Sequence, residues 1–210
     1  MGFYERGLAA MPAYGALCAD IRAARLPADI TGLGHIHKVM LIHALCSTTG
    51  RRAVVLTADE AEATRLSEDL AALGGNPLLL PARDLALRRV ESTSREYEQM
   101  RLGTLAQMAE NAYDCVIACA DAAAQYTLPP SVLLGRTLRL KEGAPLPVKT
   151  LPAALTTAGY ERCDQIEGPG QFAVRGGIID VYPAACPAPV RIELWGDTLD
   201  TLSYFDLLTQ

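Results

Sequence analysis

The chain has 210 residues, half of them hydrophobic, and a net charge of −5. That is enough for one large or two small domains with real cores. The charge, with no long Lys/Arg stripe, lacks the basic footprint of an autonomous nucleic-acid binder, and no apolar run reaches the ~18 residues of a membrane span. The opening Met1-Gly2-Phe3-Tyr4-Glu5-Arg6 has no signal-peptide layout. Residues 1 to about 28 read as a helical lead-in, with Leu17, Ile21 and the alanines between them at helical spacing and Pro27 closing it.

An α/β rhythm follows. Ala28 to Thr31 is a short strand candidate, Lys38 to Cys46 an apolar helix, and Ala53 to Thr57 a buried strand. Thr57-Ala58-Asp59-Glu60 has the capping-box pattern and opens a helix from Ala58 to Leu73, stopped by Gly74-Gly75. Leu78 to Leu80 is a further short strand, closed by Pro81. Thr93-Ser94-Arg95-Glu96 repeats the capping box ahead of a helix to about Glu110, and Cys115 to Ala118 is the next strand. Short apolar strands alternating with helices predict a mostly parallel sheet covered on both faces. The rhythm changes after Leu128-Pro129-Pro130. From Ser131 the pattern predicts a strand, a helix over about Leu151 to Ala158 ended by Gly159, and three or four more strands. These form a smaller α+β domain with an antiparallel sheet. The domains are therefore drawn at 1–130 and 131–210.

The six cysteines include no CxxC pair. Cys115 and Cys119 fall on one face of a buried strand by period-2 alternation, as small hydrophobes of a reducing cytoplasm. His35, His37 and His43 lack accompanying ligand spacing, so no metal site is expected.

Gly32-Leu33-Gly34-His35-Ile36-His37-Lys38-Val39 overlays the phosphate-loop pattern G-x-x-x-x-G-K-[ST] incompletely. Gly32 and Lys38 are kept. His37 replaces the glycine that lets backbone amides wrap the phosphates, and Val39 replaces the hydroxyl that binds Mg²⁺. Lys38 alone reads as a solvated charge at a helix start. Asp121, after the apolar run from Cys115, lacks an acidic neighbour for a metal and suits a helix N-cap. No catalytic residue is assigned.

The most informative stretch is Gln171 to Pro183 followed by Val190 to Asp197, two strands joined by a Pro-rich turn. Val190, Ile192 and Leu194 alternate with Arg191, Glu193 and Trp195. A large aromatic and an Arg pointing outward from a rigid strand suit a binding hot spot; the bland alternative is a Trp tucked under a loop beside a solvated charge pair.

The run from Asp164 to Pro183 (DQIEGPGQFAVRGGIIDVYP), with VRIELWGD from Val190 to Asp197 and Phe205-Asp206, resembles the second domain of the bacterial transcription-repair coupling factor family, and more distantly the excinuclease B subunit. The likeness reaches back through Glu91 to Glu96 and, loosely, to Thr31-Gly32. It covers only the N-terminal part of such a factor, with the motor half absent and the chain expected to be cut short after Phe205-Asp206.

The resemblance implies a first domain like a RecA-type motor lobe that has lost its phosphate loop. It implies a second domain that binds the excinuclease A subunit (UvrA) through Arg175, Arg191 and Trp195, the last more often Phe in the family. It also implies that the full protein releases RNA polymerase stalled on double-stranded DNA at lesions and recruits nucleotide excision repair. ATP and Mg²⁺ would then be needed only at the absent motor domains, in the cytoplasm and away from membranes. Excinuclease B itself carries a working loop and a Tyr-rich hairpin, whereas Leu80 to Val90 has no Tyr. The rival readings are an active ATPase or helicase fragment, which needs an intact loop, and a scaffold domain without its own partner, which needs a buried Trp195.

Overall fold

The computed structural model describes residues 3–82, 96–146 and 149–208. They group into two compact units, residues 1–82 with 110–125, and residues 83–109 with 126–210.

In the first unit the lead-in is two helices, α1 (Phe3–Ala9) and α2 (Pro12–Arg22), with Pro12 in the first turn of α2, where a missing N–H costs nothing. α3 (His35–Thr49) starts three residues earlier than the periodicity predicts and ends at Gly50, whose φ of 66° supplies the left-handed cap. Strand β1 (Ala53–Thr57), helix α4 (Glu60–Ala72), strands β2 (Pro77–Leu80) and β3 (Cys115–Cys119) and helix α6 (Ala120–Ala124) complete the unit; helix α5 (Glu96–Glu110) falls outside it but for its last residue. β3 lies between β1 and β2, parallel to both. Val39 of α3 and Ala63, Leu66 and Leu70 of α4 pack on Cys115 and Ile117 of β3. Tyr14 and Cys18 of α2 pack on Ala44 of α3.

Three local predictions are corrected. Ala28 to Thr31 belongs to no helix or strand, so no strand feeds the Gly32 loop. The cap of α4 is Asp59, whose carboxylate accepts from the Glu62 amide at 2.7 Å, while the Thr57 hydroxyl donates to the Asp59 carbonyl at 2.8 Å. Asp59 is two residues closer than Thr57 to the first free amides of the helix. At α6 the cap is Cys119, whose Sγ accepts from the Ala122 amide, and Asp121 sits inside the first turn. The capping box at Thr93 to Glu96 and most of the Leu80 to Val90 stretch lie outside the described residues.

Cys115 and Cys119 share a face of the fully buried β3. Burial pushes the Cys115 thiol up to about 12, with Cys46 and Asp114 adding to the shift. The folded chain therefore keeps a proton that the unfolded chain releases from an ordinary thiol value of 9.0 upward. This contribution is intact below pH 9 and is lost as pH rises towards 12, at up to about 1.4 kcal/mol per pH unit. Urea unfolding at pH 8, 9 and 10 should show a shallower loss for Cys115→Ala than for the parent; equal slopes would contradict a buried neutral thiol.

The second unit holds α5 (Glu96–Glu110, to Ala109), α7 (Pro130–Arg136), α8 (Thr150–Thr157) and a sheet separate from the first. α7 stands where the sequence predicts a strand. The double proline reads as a break, but Pro130 occupies the first helical turn and starts the helix. Helix α5 runs close to the backbone at Ala184: a Cβ on Gly103 would lie 2.3 Å from the Ala184 carbonyl oxygen, so only glycine fits.

The sheet has five strands in sequential order: β4 (Glu161–Arg162), β5 (Gln171–Arg175), β6 (Ile178–Val181), β7 (Val190–Trp195) and β8 (Thr198–Tyr204). It is mixed, not purely antiparallel, because β4 runs parallel to β5 while the other neighbours are antiparallel. The core is one face of this sheet under α8, with Phe172, Ile179, Val181, Ile192 and Leu199 packed on Leu151 and Leu155.

Candidate functional site

Register fixes what the other face presents. Ala173, Asp180, Arg191 and Ser203 stand in one cross-strand row, and Arg175, Ile178, Glu193 and Thr201 in the next. Both rows alternate with the core rows, so their side chains leave the sheet on the side away from α8. A bulge between Glu193 and Leu194 realigns the end of β7, so that Leu194 pairs with Leu199 and Trp195 with Thr198. Leu194 stays with the core and Trp195 stays outward, as the alternation predicts.

β5 and β7 run in the same direction, which brings Arg175 and Trp195 to one end of the sheet. Each is followed by a tight turn with a left-handed glycine, Gly176 at φ 63° and Gly196 at φ 62°. Arg175 and Arg191 are two strands and two residue positions apart, about 12 Å at ordinary strand spacing and rise.

The three predicted contact residues are thus on one face but in different circumstances. Trp195 is 83% exposed, so it is not tucked under a loop. Arg175 is exposed and donates from Nη2 to the Asp164 carbonyl at 3.0 Å. Arg191 is engaged: Nε and Nη2 donate to the two carboxylate oxygens of Asp180 at 2.7 and 2.8 Å. The Phe205 ring centre lies 4.7 Å from its guanidinium carbon. The Arg191 side chain is 23% exposed and that of Asp180 only 3%. The hydrogen bond to Asp180 holds the Arg191 pKa above its ordinary value. Arg191 thus differs from the other two, because it neutralises a buried carboxylate.

Asp180 and Phe205 are functional candidates that sequence reasoning missed. Alternation in Ile179-Asp180-Val181 puts Asp180 outward, but its pairing with Arg191 depends on a register set across the long connection from Val181 to Val190. A separate aliphatic cleft of about 630 Å³ in the same unit opens on the core face, between Leu128, Val132, Leu138, Leu155 and Leu202, and includes none of these residues.

In the first unit the residues aligned with the phosphate-loop pattern run from Gly32 into the first turns of α3. Gly32 takes φ 79° and is exposed, as is His37. Val39 is 0% exposed and belongs to the core under α4. Lys38 Nζ lies 3.5 Å from Glu62 Oε1, and His35 Nε2 lies 2.7 Å from Asp69 Oδ2. Of the aligned positions Lys38 meets an acidic group of α4 while its side chain stays half exposed, and the neighbouring His35 meets another. His43 Nδ1 meets the Tyr4 hydroxyl at 2.6 Å and Glu5 at 3.7 Å, a tie between α1 and α3. Among the described residues no group of three or more His, Cys, Asp or Glu side chains is placed to hold a metal ion. No helix among them is long and apolar enough to cross a membrane.

Residues 138–210, which carry this sheet, match the family model of the UvrB interaction domain. Over much of its length the chain is similar to transcription-repair-coupling factors and to UvrABC system protein B. It is 28% identical over 179 residues to the transcription-repair-coupling factor of Bacillus subtilis (strain 168), covering 84% of this chain and 15% of that protein. It is 33% identical over 110 residues to the factor of Escherichia coli (strain K12), covering 52% of this chain and 10% of that protein. It is 35% identical over 131 residues to UvrABC system protein B of Campylobacter fetus subsp. fetus (strain 82-40), covering 61% of this chain and 20% of that protein. The chain thus spans a fifth or less of the length of these relatives.

Proposed function

We propose that the chain is the N-terminal module of a transcription-repair coupling factor and docks the excinuclease A subunit (UvrA) through Arg175, Arg191 and Trp195. The observation that carries this reading is the exposure of Trp195 on the same sheet face as Arg191, within a UvrB interaction domain. The indole supplies a large rigid area, and the two guanidinium groups supply donors for carboxylate or carbonyl oxygens, which the aromatic shields from water. In the full protein, motor domains using ATP and Mg²⁺ would translocate on double-stranded DNA and release stalled RNA polymerase. This module would then bring in nucleotide excision repair in the cytoplasm. Titrating UvrA with the chain should give saturable binding; no binding would sink the proposal.

The first unit is read as a degenerate RecA-like motor lobe without ATPase activity. The core placement of Val39, the tie of Lys38 to Glu62 and the lack of a strand at Ala28 to Thr31 support this over a working excinuclease B or helicase fragment. Phosphate release with Mg²⁺ and ATP, with and without DNA, should stay at background in the parent and in Lys38→Ala alike. Turnover that disappears in Lys38→Ala would restore the ATPase reading. The scaffold reading is disfavoured by the exposure of Trp195.

A further inference from the structure

We infer that Asp180 is the positioning residue of the docking face: it sets the direction in which Arg191 offers its remaining N–H groups, with Phe205 closing one side of the guanidinium. This rests on the reading of that face as the UvrA contact and adds a residue to it.

The geometry is specific. Asp180 and Arg191 are register partners on neighbouring strands. The pairing is two-point, through Nε and Nη2 at 2.7 and 2.8 Å, so the guanidinium plane cannot turn about its last bonds without breaking a bond to a carboxylate. Asp180 is 2% exposed, and the bonds described for its two carboxylate oxygens both come from Arg191. On β6, the central and largely buried strand of this sheet, an apolar residue could replace the carboxylate, since such a pair roughly breaks even with hydrophobic packing. Orientation is the property the pair adds. An unheld Arg would lose most of its rotamer freedom on docking, whereas this one has lost it on folding.

Of the five donors of the guanidinium, two are spent on Asp180. The other three lie on Nη1 and Nη2, and the side chain as a whole is 23% exposed. They suit a planar acceptor, so the surface of UvrA meeting Arg191 should present a carboxylate or paired carbonyl oxygens.

The test compares the parent chain with Asp180→Asn and Asp180→Asn/Trp195→Ala by calorimetric titration of purified UvrA, at a temperature where circular dichroism shows each fully folded. The Arg191 Nε–H signal is followed by NMR in the same samples. Asp180→Asn should weaken binding about tenfold, repeat that loss on top of Trp195→Ala, and shift the Arg191 Nε–H signal to that of a solvated Arg. A merely structural Asp180 would lower the melting temperature and leave the affinity of the folded chain and the Nε–H signal unchanged, overturning the inference while the docking reading stands. No binding by the parent would overturn the docking reading itself and this inference with it. If Asp180→Asn does not fold, Asp180→Glu takes its place, keeping the charge while moving the carboxylate out by one methylene; binding equal to the parent by the folded variant would overturn the inference while the docking reading stands.

Discussion

Arg191→Ala is expected to lower the stability of the chain by about 3 kcal/mol, the low end of what removing one partner of a buried ion pair costs. The carboxylate left behind is that of Asp180, 3% exposed and paired to Arg191 through both oxygens. The low end applies because the Arg191 side chain itself is partly open to solvent, which screens the pair. Loss of the contact with Phe205 acts in the same direction. Arg175→Ala is the internal control: that side chain is exposed and makes one bond to a backbone carbonyl, so its removal should stay within about 0.5 kcal/mol. Denaturant unfolding of the two variants checks this, and equal midpoints would contradict the account of Asp180. It follows that lost partner binding by Arg191→Ala is interpretable only where the variant is shown to be folded.

Trp195→Ala should behave in the opposite way. Its side chain is 83% exposed beyond the bulge of β7 and takes no part in the core cluster, so the melting temperature should not change. Its removal should cost about 2 kcal/mol or more of binding to UvrA, roughly thirtyfold in affinity, as for a central aromatic anchor. Calorimetric titration against the parent reads this directly. An unchanged affinity would place the contact elsewhere, and a large fall in melting temperature would mean that the indole is structural.

What could be read in the sequence follows the range of the interactions involved. Period-2 alternation over Val190 to Trp195 placed Ile192 inward and Trp195 outward, because side-chain direction in a strand is local. The strand at Cys115 and the helix before Gly74 were legible too, whereas Ala53 to Thr57, expected to be a buried strand, forms β1 but leaves Val54 and Leu56 exposed on one face. The helix at Pro130 was not, since a proline pair punctuates chains in two ways and only the structure shows Pro130 in a first helical turn. Ala28 to Thr31 has strand-like composition but no neighbour to pair with in the described fold, and β4 is only two residues long. The partner of Arg191 was illegible for a non-local reason. Glu193 is near in sequence and charge, yet the register across Val181 to Val190 puts Asp180 opposite, and only tertiary structure sets that register. In the loop at Gly32 to Val39 the missing glycine and hydroxyl were visible, while the burial of Val39 and the tie of Lys38 to Glu62 required the packing of α3 on α4.

The central claim is that the outward face of the second sheet is a docking surface for UvrA, and a single titration tests it most directly. Purified UvrA titrated with the parent chain and, in parallel, with Arg175→Ala/Trp195→Ala should give saturable binding in the first case and a loss of at least thirtyfold in the second, with both chains folded. Equal binding by the folded double variant, or no binding by the parent, would contradict the account.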